Sequence, residues 1–243
     1  MREIYNLKRL FMGWFLDTVR SSLGKKLLMA ITGLGLTLFL LSHLVGNLFL
    51  FMNDGGETFN TYAHNFKGNP LIVVFEVVIF AGFIVHIIDG IALILENKKA
   101  RPVKYAYSKS PNKKVSWTSR KMSYLGLLLL IFLILHLSNF FAKSKIYDSG
   151  DIGMVTYGDV EMHDLFSYVK LEFSLWWYTA IYVICMIGLA LHLAHGFQSA
   201  FQTIGWNHPK WSPIVKSIGS FIAFVIPAIF ASMPIYFYVK SIL

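Results

Sequence analysis

Residues 25–52 read KKLLMAITGLGLTLFLLSHLVGNLFLFM. After the two lysines the stretch holds no charged residue, and it exceeds the roughly 20 apolar residues that a membrane-crossing helix needs. Its one ionisable group, His43, stands well inside the apolar run. An imidazole in hydrocarbon is costly without a partner, so it marks either a bond to a neighbouring helix or a functional site. Three further apolar runs repeat the pattern, with His86, His136 and His192.

The whole chain agrees with that reading. Of 243 residues, 56% are hydrophobic and 14% charged, and the mean hydropathy is +0.57. A soluble domain of this size does not have that composition; a polytopic membrane protein does. Spans are expected at about 24–52, 70–96, 120–142, 174–204 and 215–240. The fold class is therefore an all-α membrane protein, one integral domain over residues 1–243, with four of its five helices forming a histidine-bearing bundle. Residues 5–20 mix basic and large apolar groups, as a helix lying on the membrane surface does. The first span is too long for a signal-peptide core and lacks a small-residue cleavage site, so it is expected to be retained.

Seventeen of the 22 Lys and Arg precede span one or lie in the segments joining spans two to three and four to five. The positive-inside rule then places the N-terminus in the cytoplasm and the C-terminus outside. This sorting accounts for the net charge of +9 without any nucleic-acid partner. The single cysteine, Cys185, excludes a cysteine-ligated iron–sulfur cluster within the chain, and no C-x-x-C-H motif is present for covalent haem attachment.

Depth organises the four histidines. His43 stands 17 residues past Lys26 and His136 stands 15 past Lys121, each counted from the cytoplasmic start of its span. His86 stands 16 residues past Pro70 and His192 stands 18 past Ser174, each counted from the outer start. Each therefore lies about 25 Å from the end where its helix begins. Because alternate helices run in opposite directions, His43 and His136 share an outer layer and His86 and His192 an inner one. Two imidazoles per layer are too few for zinc, which takes three or four protein ligands, but they are the number that fills both axial positions of a haem. Two b-type haems are expected. Gly82 and Gly90 flank His86 at −4 and +4, Gly188 and Gly196 flank His192 likewise, and Gly46 follows His43 at +3. On the histidine's own helix face, these positions give room for a macrocycle or allow close helix packing. His195 lacks the two flanking glycines at ±4, which favours His192 as the ligand. No dinucleotide fingerprint or cluster motif is present, so an electron-carrying role requires partner subunits.

Ser21-Ser22-Leu23-Gly24-Lys25-Lys26, Thr32-Gly33 and His43-Leu44-Val45-Gly46-Asn47 resemble the five-helix, dihaem cytochrome b subunit of succinate:quinone oxidoreductases. That family forms the membrane anchor of succinate dehydrogenases and fumarate reductases that use menaquinone. Ser119-Arg120-Lys121-Met122 before His136 is similar to its fourth-helix entry, and His192-Leu193-Ala194-His195-Gly196, continuing to Gly205-Trp206, to its later ligand helix. The resemblance runs from about residue 20 to 240. It implies a membrane subunit of a respiratory enzyme, partnered by a flavoprotein that interconverts succinate and fumarate and by an iron–sulfur protein. His86 and His192 would hold the proximal haem and His43 and His136 the distal one. Ser22, Lys25, Ser119, Arg120 and Gln198 would hold haem propionates. Menaquinone would bind near the distal haem, with Asn47, Tyr62, His64 and Glu76 as candidates. Some family members carry Glu two residues before the later-helix ligand. Ala190 stands there in this chain, which leans the expectation toward succinate oxidation.

Two other readings stay open at this stage. One is the cytochrome b subunit of another membrane reductase. The other is a proton-coupled transporter using the histidines with Asp89 and Glu76, although neither internal repeats nor broken midplane helices are visible.

Overall fold

The structure, a computed structural model, describes residues 13, 17–67, 69–100, 117–146, 150–206 and 208–243. Its elements are α1 (Ser22–Leu48, tightening to a 3-10 turn over Phe49–Phe51), α2 (Glu57–Phe66), α3 (Pro70–Lys99) and α4 (Trp117–His136). A π-helical stretch over Leu137–Ala142 and a last turn over Lys143–Lys145 prolong α4. The chain continues through β1 (Met154–Tyr157), β2 (Val160–His163), α5 (Leu165–Phe173), α6 (Trp176–Thr203) and α7 (Ser212–Ile242). Among the described residues, five helices are long and apolar enough to cross a membrane: Ser22–Phe51, Pro70–Lys99, Arg120–Lys145, Trp176–Thr203 and Ser212–Ile242. They match the expected spans within a few residues. Most of the expected surface helix at 5–20, and the basic segment 101–116, lie outside the described residues.

Local chemistry fixes where these helices begin. Ser21 accepts the Gly24 N–H at 3.0 Å to cap α1, and Asn69 accepts the Leu71 N–H at 3.0 Å to cap α3. Pro70 then occupies the first turn of α3, where its missing N–H costs nothing. Asp164 accepts the Ser167 N–H at 3.1 Å and caps α5.

Packing builds a four-sided bundle. α1 packs on α3 and α6, and α4 packs on α6 and, over a shorter stretch, on α3. The diagonals are therefore α1–α4 and α3–α6. α7 packs chiefly on α6, outside the square. Val74, Val77, Val78, Ile84 and Ile88 of α3 are all exposed. A large apolar surface like this suits lipid and would aggregate in water.

The loops at one end carry structure of their own. The segment read as an acidic outer loop carries an antiparallel hairpin, β1–β2, with Met154 opposite His163 and Tyr157 opposite Val160. It is the one departure from an all-helical chain among the described residues. This loop-rich end is pinned by Asn60, which is 1% exposed. Asn60 donates to Asp164 Oδ1 at 2.9 Å and Tyr157 Oη at 3.3 Å, and accepts the Phe166 N–H at 2.9 Å. One amide thus ties α2, the hairpin and α5 together. A Lys145–Glu76 ion pair joins α4 to α3 at the same end, and Lys25–Glu96 joins α1 to α3 at the opposite, basic end.

Asn60→Ala strands the Phe166 N–H and removes one of the hydrogen bonds that Asp164 Oδ1 accepts, and is expected to destabilise the protein by about 1–3 kcal/mol, read from thermal unfolding in detergent. Burial alone would raise the Asp164 carboxyl, but bonds from Ser167 and Asn60 outweigh it and hold the group below its usual range. Its contribution is therefore complete above the ordinary Asp value of about 4 and disappears as pH falls below that. Amide exchange at Phe166 and Ser167, corrected for intrinsic rates, should accelerate in acid and not toward alkaline pH. In the bundle, a Cβ added at Gly188 would lie 2.7 Å from Leu128 Cδ2 of α4, whereas at Gly196 it would meet nothing within 4 Å. Gly188→Val should lower the unfolding temperature through a wedge of about 1–3 kcal/mol, and Gly196→Ala should leave it nearly unchanged.

Candidate functional site

Each layer of histidines closes across one diagonal of the bundle. The His43 ring of α1 and the His136 ring of α4 have centroids 5.9 Å apart at an interplanar angle of 87°. The His86 ring of α3 and the His192 ring of α6 have centroids 6.3 Å apart at 65°. Diagonal helices are separated by the bundle axis, so both pairs meet there. His86 meets His192, the histidine with the glycines at ±4. Thr32 and Gly33 of α1 lie at the level of His86, ten or eleven residues before His43, so by helix rise the two pairs lie roughly 15 Å apart along the axis, with His43 and His136 toward the loop-rich end.

Hydroxyls orient one ring in each layer. Thr32 Oγ1 of α1 lies 3.1 Å from His86 Nδ1. The same hydroxyl donates to the Leu28 carbonyl at 2.7 Å, one turn earlier in its own helix. Its single hydrogen is thereby used, so the oxygen can only accept from an Nδ1–H. That fixes the tautomer: His86 Nε2 carries a free lone pair. In the other layer Tyr182 Oη lies 3.2 Å from His136 Nδ1. His192 Nδ1 is buried with no hydrogen-bond partner. The π-helical stretch begins immediately after His136; such widened turns are frequent at functional sites.

Aromatic side chains wall the His43–His136 layer. Phe39 and Phe230 stack on His43 at 5.4 and 5.8 Å, and Phe132 stacks on His136 at 5.6 Å. Phe230 belongs to α7, so the helix read as an edge packer also reaches this layer. In the other layer Gly33 lies against His86, where an added Cβ would come within 3.3 Å of Cε1. Added Cβ atoms at Gly82 and Gly90 would make ordinary contact with Leu36 and Met29 of α1, at 3.8 and 3.5 Å. Gly188 is a tight contact to α4, and Gly196 faces open space.

The remaining candidates fall in several places. Gly46 admits Tyr62, whose ring carbon would sit 2.5 Å from an added Cβ, so this glycine lets α2 lie on α1. Tyr62 also packs on Phe49 and Phe66, and burial holds its phenol above the usual range. Asn47 donates to the His43 carbonyl at 2.8 Å, within its own helix. His64 lines a small cavity of about 50 Å³ with Lys67, Lys145 and His163. Glu76 is engaged by Lys145, and Lys25 by Glu96. Ser22 and Arg120 are exposed at the basic end and Gln198 is half-buried there, while the Ser119 side chain lies outside the described residues. Asp89, one turn from His86, is the only buried residue of α3, and its Oδ2 has no hydrogen-bond partner.

Thr32 and Tyr182 were not legible as site residues from sequence. A helical Thr and an aromatic stripe read as ordinary packing, and only the fold brings their hydroxyls to the histidines. Among the described residues, no three His, Cys, Asp or Glu side chains gather into a metal-binding group, so the imidazoles are paired and not clustered. Comparison with models of protein families, with curated proteins and with solved structures finds no match for this chain.

Proposed function

We propose that the chain is a dihaem membrane cytochrome b that passes electrons between a partner iron–sulfur protein and membrane quinone, with His43–His136 and His86–His192 as axial ligand pairs. The spacing of the rings carries this reading. A metal–nitrogen bond to imidazole is about 2 Å long, so two imidazoles that shared one metal ion between them would have ring centroids about 6 Å apart. The observed separations are 5.9 and 6.3 Å. A pair of core histidines in hydrogen-bond contact would instead bring ring nitrogens together, whereas here the Nδ1 atoms of His86 and His136 are turned to hydroxyls. That leaves Nε2 available in both, the arrangement in which metal-binding histidines are usually held.

A haem held by either histidine pair would supply one-electron transfer, its iron having no position left for oxygen or substrate. The rest of the work belongs to the protein. Helices on opposite corners hold each imidazole at the axis, and Phe39, Phe132 and Phe230 keep the His43–His136 layer dry. Roughly 15 Å of axial offset would then make the two layers successive stations across the membrane. On the resemblance, the enzyme is a succinate dehydrogenase or fumarate reductase. The flavoprotein and iron–sulfur subunits would sit at the basic, cytoplasmic end. Menaquinone would be handled near the loop-rich end, where Tyr62 and His64 lie. The layout fits a multi-pass protein of a bacterial inner membrane.

A second reading rests on Asp89. A buried carboxylate with an unpartnered oxygen in a membrane helix is a natural proton relay, and a proton-coupled transporter would use it.

A reduced-minus-oxidised spectrum with pyridine-haemochrome quantification separates the two. Two b haems per chain are expected, with His136→Ala and His192→Ala each removing one. A colourless protein would reject the cytochrome and bring the transporter forward. Thr32→Val, which keeps the shape but removes the acceptor of His86 Nδ1, should weaken retention of one haem about 10-fold or more, measured as haem loss to apomyoglobin.

A further inference from the structure

The hydroxyl on His136 is one end of a longer chain. Tyr182 Oη lies 3.1 Å from Tyr178 Oη, Asn139 Nδ2 donates to Tyr178 Oη at 2.8 Å, and the same Nδ2 reaches Glu172 Oε2 at 3.4 Å. Side chains from the π-helical stretch, α5 and α6 thus link an imidazole on the bundle axis to a carboxylate at the loop-rich end. Tyr178 and Tyr182 are 2% and 6% exposed, in contact with Phe173. Phenylalanine would fill the same volume, so close packing alone does not account for two hydroxyls in line. The other layer has no such extension, because the Thr32 hydroxyl ends on a carbonyl of its own helix.

Resting on the two-haem reading, we propose that Tyr182, held in place by Tyr178 and Asn139, is a positioning residue that lowers the reduction potential of the centre ligated by His43 and His136. The sign follows from hydrogen counting. An imidazole coordinated through Nε2 carries its hydrogen on Nδ1, so the Tyr182 oxygen accepts it and the Tyr182 hydroxyl is free to donate to Tyr178 Oη. Donation from Nδ1–H makes the ring a stronger electron donor to the metal and favours the oxidised state. Asn139, anchored on Glu172, fixes Tyr178 and hence the angle at which Tyr182 meets the ring. The two centres are thereby given unequal second partners, a short hydroxyl–carbonyl relay on His86 and a surface-anchored chain on His136.

The test is a spectroelectrochemical titration of the purified complex, with haem stoichiometry on the same samples, for wild type, Tyr182→Phe and Tyr178→Phe. Two haems should remain in each variant. One midpoint potential should move to a more positive value in Tyr182→Phe and by a smaller amount in Tyr178→Phe, while the other stays fixed. Two haems with both midpoints unchanged would overturn the proposal, and so would an equal shift of both. If Tyr182→Phe loses a haem, Tyr178→Phe decides: a positive shift of one centre supports the proposal, and no shift overturns it. Absence of haem from the wild type would be a different failure, removing the two-haem reading and this inference with it.

Discussion

An imidazole surrounded by hydrocarbon costs free energy unless its nitrogens find partners, and this chain places four of them there. The bundle is arranged around meeting that demand. Alternating helix direction sorts the four rings into two levels, and the diagonal pairing brings each level to one point on the axis. The flanking glycines and the stacked phenylalanines follow from the same requirement, since the rings need both close helix approach and exclusion of water. Neither pair could form between adjacent helices without leaving the axis, so the connectivity of the bundle and the placement of the histidines are one constraint.

α6 is where these demands converge. It packs on α1, α4 and α7, carries His192 on one level, and on the other supplies Tyr182 to the histidine of α4. Its buried residues Tyr178, Tyr182, Cys185, Met186 and Leu193 recur at three- and four-residue spacing, the periodicity of a helix face set against neighbours. α3 is the opposite case. Its flank is exposed almost throughout, yet the one residue it buries is a carboxylate and its histidine reaches the axis. This helix packs mainly on α1, and the Lys25–Glu96 and Lys145–Glu76 ion pairs at its two ends join it to α1 and α4.

Much of this was legible in the sequence because it depends on one-dimensional quantities. Span positions follow from apolar run length, and the pairing of His43 with His136 and of His86 with His192 follows from counting residues along helices of known rise. The choice of His192 over His195 followed from glycine spacing. What stayed hidden depends on side chains far apart in sequence. Thr32 and His86 are 54 residues apart, Tyr182 and His136 are 46 apart, and Asn60 reaches Asp164 across 104. The hairpin at 154–163 was hidden too, since four-residue strands in a polar loop have no apolar alternation to announce them. The glycines divide by the same logic. Spacing placed Gly188 on the histidine face correctly, but only the neighbouring helix reveals that Leu128 already occupies that side.

The asymmetry between the levels bears on how such a bundle could carry electrons in one direction. Two chemically identical bis-imidazole centres would differ only through distant charge, which the low-dielectric interior transmits but the protein controls poorly. A hydrogen-bond partner on Nδ1 acts directly on the ligand atom and is set by a single side chain. Here the level nearer the basic end receives a threonine whose hydrogen is committed to its own helix, and the level nearer the loop-rich end receives a phenol tied through Tyr178 and Asn139 to Glu172. The second arrangement can respond to what happens at the surface, because movement of α5 or loss of the Glu172 contact alters the angle at Tyr182. The first cannot. On the two-haem reading, unequal second partners on otherwise equivalent pairs would be the simplest means this fold has of separating two centres in energy, and of leaving only one of them sensitive to chemistry at the membrane face.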